Sequence, residues 1–186
     1  VLLDEKRTKR IVQVVAILTS IAFAGTIFVV MGIVFFGGAS SPERDQVNEL
    51  KGLVEREPRN ADAWQQLASA HIAAGDTQEA VDAAERSVAI APDSFRNVST
   101  LVLALQEADD PGGAVDALQE FTNENRTNSE AYLQLGVSAQ AIGRTAVARL
   151  AFQRYLQLEP DSSRAEFVRE QLQALSGTPA EAPAAG

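Results

Sequence analysis

The chain has 186 residues, a formal charge of −9 and a pI near 4.6. That length holds one domain and an appendage rather than two large cores, and without a basic patch to neutralise phosphates the chain is not expected to bind nucleic acid. The absence of cysteine excludes disulfide scaffolds, thiol redox motifs, cysteine zinc sites and haem attachment through a cysteine pair.

Residues 1–10 form a basic N-terminus, with Lys6, Arg7, Lys9 and Arg10 crowded before an apolar run. Residues 11–36 carry no charged side chain. A helix of that length reaches roughly 39 Å, enough to cross a hydrocarbon core of about 30 Å with some tilt. The run exceeds the apolar region of a cleaved signal peptide, so a single transmembrane helix that remains as an anchor is expected. No base lies between Gly37 and Glu43, so the positive-inside rule places the N-terminus in the cytoplasm and the rest on the extracytoplasmic, periplasmic side of the cell membrane. Within the run Ala16, Ser20 and Ala24 recur every four residues, and Gly25 and Gly32 lie two turns apart. Small residues so spaced let another membrane helix approach closely, although Gly is common in membrane helices generally.

A Gly/Ser/Pro linker, residues 37–42, leads into a stretch with a fixed period. Pro58 and Pro92 are 34 residues apart and Pro160 follows after 68, twice that step. Trp64, Val98 and Tyr132 keep the interval, as do Leu67, Leu101 and Leu135, then Ala80, Ala114 and Ala148. Gly75, Asp109 and Gly143 share the turn position. A repeat of this length is the mark of a helical solenoid.

These residues resemble the tetratricopeptide repeat (TPR) family in its membrane-anchored bacterial form, whose pattern runs W-x2-L-G-x2-Y, then A-x3-F, then P. Repeat one, about residues 61–94, supplies Trp64, Leu67, Ala68, His71, Gly75, Ala80 and Pro92. Repeat three, about 129–162, supplies Tyr132, Leu135, Gly136, Gly143, Ala148, Phe152 and Pro160. Repeat two, about 95–128, is degenerate: Arg126 stands in place of the proline, and Asp110 to Gly113 fill the turn. The resemblance implies an all-α solenoid of three repeats over residues 43–175. Small residues at Ala68, Gly136, Ala80, Ala114 and Ala148 let paired helices approach, while Trp64, Leu67, Tyr132, Leu135 and Phe152 fill the space between them. Apolar steps continue through Leu150, Tyr155 and Leu156. Flanking caps follow from Val47, Leu50, Leu53 and Val54 at one end and Phe167, Val168, Leu172 and Leu175 at the other. Residues 176–186 read as a flexible Pro/Ala-rich tail.

No catalytic constellation, cofactor motif or metal-ligand set is present, so neither an enzyme nor a cofactor is expected. The single histidine, His71, falls at the family's tyrosine position, and a structural role is expected for it. Asp109 and Asp110 lack the ligand spacing of a calcium loop. The sequons at Asn97 and Asn125 read as chance.

The resemblance implies partner binding on a concave groove lined by the first helix of each repeat. Those side chains are Asp62, Gln65, Ser69 and Ile72 from repeat one, Arg96, Ser99, Leu103 and Gln106 from repeat two, and Glu130, Leu133, Val137 and Gln140 from repeat three. The basic clamp with which some family members grip acidic chaperone tails is missing, because Gln65, Ser69, Glu130 and Gln134 occupy its positions. The alternative is a solvated face, with contacts on the convex side or along the span. The expected function is a membrane-anchored scaffold, an accessory or stabilising subunit of a larger membrane complex such as an electron-transport assembly. The alternative is an assembly factor holding client proteins, as in cytochrome c biogenesis. Its expected partners are other protein subunits and, through residues 11–36, the lipid bilayer.

Overall fold

The computed structural model describes residues 42–176. The expected span 11–36, with Ala16, Ser20, Ala24, Gly25 and Gly32, lies outside them, as do residues 37–41 of the linker and the tail from 177 onward. The described residues form eight helices and no strand: α1 Pro42–Arg56, α2 Ala61–Ala74, α3 Thr77–Ile90, α4 Phe95–Glu107, α5 Pro111–Glu124, α6 Ser129–Ala141, α7 Thr145–Leu158 and α8 Ala165–Ser176. None of these is long and apolar enough to cross a membrane.

The 34-residue register sets where the helices stop and start. Asn60 and Asn128 hold extended backbone before α2 and α6, and their side chains accept from the amides of Ala63 and Ala131 at 3.0 and 2.9 Å, the N-cap arrangement that satisfies a free helix donor. Gly75, Asp109 and Gly143 all adopt the left-handed region, with φ of 78°, 59° and 76°. That conformation reverses the chain between the two helices of a repeat and suits glycine best.

Each helix packs on its neighbours in sequence, and α2 also touches α4. The pairs α2–α3, α4–α5 and α6–α7 are the three repeats, with α1 and α8 covering the open ends. Ala68, Ala80, Ala114 and Ala148 are fully buried, as expected of residues that permit close helix approach. Gly136 serves the same end, since a β-carbon there would overlap the buried ring of Phe152. The interior divides into two clusters. One joins α1, α2 and α3 to Leu101 and Ala104 of α4; the other joins Val98 and Val102 of α4 to helices α5 through α8.

Two apolar positions expected to pack inside, Leu150 and Phe167, fall outside this interior. Leu150 is 66% exposed on α7 and Phe167 is 46% exposed on α8. The flanking helices bury Val47, Leu50 and Val54 in α1 and Val168 and Leu175 in α8.

Candidate protein-interaction face

The first helices of the repeats, together with α8, are stitched side by side by polar side chains about one repeat apart. Gln65 Nε2 donates to Thr100 Oγ1 at 2.9 Å, joining α2 to α4. Ser99 Oγ donates to Gln134 Oε1 at 3.1 Å, joining α4 to α6. Gln140 Nε2 donates to Gln171 Oε1 at 2.8 Å, joining α6 to α8. Arg164 Nη1, just before α8, donates to both oxygens of Glu130 at 2.7 and 2.6 Å. The hydrogen bond to Glu130, and then its charge, raise the Arg164 guanidinium above its ordinary pKa. Both side chains are about half exposed, so solvent screens the pair.

Twelve side chains were expected to line this face. Asp62, Ser69, Arg96, Leu103, Gln106, Glu130 and Val137 are exposed, and Gln65, Ile72, Ser99 and Gln140 are half-buried. Leu133 is a correction. It is only 7% exposed and belongs to the second core cluster with Val102 and Val168. Its counterparts in the other repeats, Gln65 and Ser99, spend their polar groups on the next helix; a leucine at that position has no such group and is buried instead. Thr100, Gln171, Arg164 and Phe167 also contribute to the face, although the groove assignment did not include them. Extending the 34-residue step past repeat three finds Arg164, Phe167 and Gln171, one period beyond Glu130, Leu133 and Val137.

The residues that tempted other chemistry have structural duties. The His71 ring is buried, and its Nδ1 lies 3.1 Å from Asp76 Oδ2. An ionised carboxylate only accepts, so Nδ1 carries the proton in that contact. Asp110 Oδ1 accepts from the Gly113 amide at 2.8 Å, capping α5. Asn97 is 1% exposed and donates to the Ser87 carbonyl at 3.2 Å, so its side chain is closed to glycosylation in the folded domain. Among the described residues no three His, Cys, Asp or Glu side chains are grouped to hold a metal. A cleft of about 80 Å³ between α3, α4 and α5, lined by Val88, Leu101, Phe121 and Glu124 among others, is too small for a cofactor.

Residues 49–178 match the family described as the cytochrome c-type biogenesis protein H TPR domain. No curated protein matches the sequence. Among solved structures the chain is similar to a tetratricopeptide repeat protein from Parabacteroides merdae, with a TM-score of 0.60 and 19% identity, over 79% of this chain and 57% of that one. It is similar to MamA, with a TM-score of 0.54 and 18% identity, over 73% of this chain and 90% of that one. It is also similar to the first TPR of Spaghetti (RPAP3) bound to the HSP90 peptide SRMEEVD, with a TM-score of 0.52 and 21% identity, over 63% of this chain and 94% of that one. At these identities the likeness speaks for the fold.

Proposed function

The chain belongs to the cytochrome c-type biogenesis protein H TPR family, and from that premise we propose that it holds client proteins during the biogenesis of c-type cytochromes, on the face formed by α2, α4, α6 and α8. TPR folds are protein-interaction modules, typically without catalysis. In the proposed arrangement residues 11–36 anchor the chain in the membrane, with the repeats on the periplasmic side. Without a cysteine of its own, the chain holds a client and leaves thiol chemistry to others.

The observation that supports the binding face is the distribution of exposed apolar side chains. Five large hydrophobic residues of the described chain are exposed: Ile90, Leu103, Val137, Leu150 and Phe167. Three of them fall on α4, α6 and α8. Leu103 and Val137, 46% and 45% exposed, occupy the same position in consecutive repeats. Apolar side chains kept in water at a repeated position fit a surface that a partner covers.

The test compares cells lacking the chain with cells carrying it intact or as Leu103→Ser/Val137→Ser. Haem staining should show loss of c-type cytochromes without loss of other haem proteins, and the double variant should fail to restore them at normal abundance. Full restoration by the double variant would remove this face from the function. Unchanged cytochrome maturation, with constant-stoichiometry co-purification with one membrane complex, would return the accessory-subunit reading. Carbonate extraction tests the anchor; protease protection in spheroplasts tests the side of the membrane.

A further inference from the structure

The face carries a cation that its own fold leaves unused. Asp62, Arg96 and Glu130 are the second residues of α2, α4 and α6, Arg164 immediately precedes α8, and these four, 34 residues apart, alternate in charge. The last two meet in the Glu130–Arg164 pair. The first two are set at the same step, yet among the described residues the Arg96 guanidinium and the Asp62 carboxylate have no hydrogen-bond or ion-pair partner. Aspartate is one methylene shorter than glutamate, so Asp62 reaches less far towards the next helix than Glu130 does. Arg96 is exposed, and Leu103, seven residues on, lies on the same side of α4 two turns away.

We propose that Arg96 is the specificity-determining residue of this face, accepting a single Asp or Glu carboxylate of a partner segment whose apolar side chains cover Leu103, Val137 and Phe167. This rests on the reading of the face as the docking surface. The charge around it limits the partner further. Residues 42–124 hold 17 acidic and 6 basic side chains, whereas residues 125–176 hold 5 and 6. A segment with many carboxylates is repelled by the first half of the domain. The segment that fits is apolar, neutral or basic overall, with one carboxylate placed for the arginine fork.

The probe is a phage-displayed library of random peptides selected against the full chain in detergent, in parallel with Arg96→Gln and with Leu103→Ser/Val137→Ser. The expected result is an apolar consensus containing one Asp or Glu on the native chain, the same apolar consensus without the acid on Arg96→Gln, and no enrichment on the double variant. A synthetic copy of the selected peptide should lose roughly three- to tenfold in affinity when its acid becomes the amide, and Arg96→Gln should erase that difference. Asp62→Glu, which restores the methylene and lets Arg96 pair internally, should weaken the acidic peptide and spare the amide form. Equal acid content on the native chain and Arg96→Gln, with binding still dependent on Leu103 and Val137, overturns the role of Arg96 and keeps the docking face. Enrichment on none of the proteins, or a double variant that changes only the oligomeric state in sedimentation, overturns the docking face and this inference with it.

Discussion

The middle repeat reaches the same shape as the outer two by different chemistry. In repeats one and three an asparagine caps the first helix, Asn60 or Asn128, and an aromatic ring ties that helix to the chain before it. Trp64 Nε1 donates to the Pro58 carbonyl at 3.0 Å, and the Tyr132 hydroxyl donates to the Thr122 carbonyl at 3.1 Å. Repeat two has Ser94, which makes no side-chain cap bond, and Val98, which has no polar group. There the tie passes to Asn97, bonded to the Ser87 carbonyl, and a cap appears instead on the second helix through Asp110 and Pro111. The left-handed turn and the helix-ending backbone at residues 91, 125 and 159 are retained in all three repeats, even though Arg126 replaces the proline. What the fold requires is each job done somewhere near, not one residue at one number.

Core volumes show the same exchange. Facing positions of the paired helices hold Gly136 with Phe152 in repeat three and Val102 with Leu118 in repeat two, all buried in one cluster apart from the glycine's own lack of a side chain. The comparison breaks most severely at Phe152→Ala, expected to cost about 3–5 kcal/mol in urea denaturation, because the cavity faces a glycine that cannot fill it. Gly136→Ala should cost about 1–3 kcal/mol by overpacking against the ring, and adding Phe152→Leu should recover most of it by moving the pair toward the middle repeat's volumes. If the second change deepens the loss, the two repeats do not share a volume rule.

Asn97 sharpens the comparison from the other side. Its Oδ1 is buried without a partner, and the outer repeats hold buried Ala63 and Ala131 at the same position. Asn97→Ala removes one hydrogen bond but also that unsatisfied carbonyl, whose burial costs more, so a gain of about 1 kcal/mol is expected in thermal denaturation. The smallest effect concerns the turn. Asp109→Gly should stabilise by roughly 0.5–1 kcal/mol, since aspartate bears the left-handed conformation that Gly75 and Gly143 adopt freely. A loss at Asp109→Gly would show that the side chain itself stabilises the turn.

The helices and their register were legible because the packing unit itself repeats: a small residue such as Ala80 recurs at the step where two helices must touch. The face was legible less fully. Gln65→Thr100 and Ser99→Gln134 join residues 35 apart, one off the period, and that offset depends on how successive helices slide past one another, which no single repeat encodes. Leu133 carries the polarity of a core residue at a position where its counterparts are polar, and the periodic rule overrode the residue's own chemistry. Phe167 failed in the opposite sense. Its apolar chemistry reads as core, yet the structure leaves it 46% exposed.

The two hydrophobic interiors share one wall, α4, with Leu101 and Ala104 turned to one and Val98 and Val102 to the other. Such a molecule can give way by halves, since helices α1 to α3 can open while the second interior stays dry. Hydrogen exchange should then report two free energies of opening, with α6 and α7 slower than α1 and α2. Val88 and Leu105 bridge the two levels, each packing against both clusters. A load applied at one end of the domain would be dissipated at this seam before it reached the other, making α4 a mechanical fuse between helices α1 to α3 and the part that carries Val137 and Phe167.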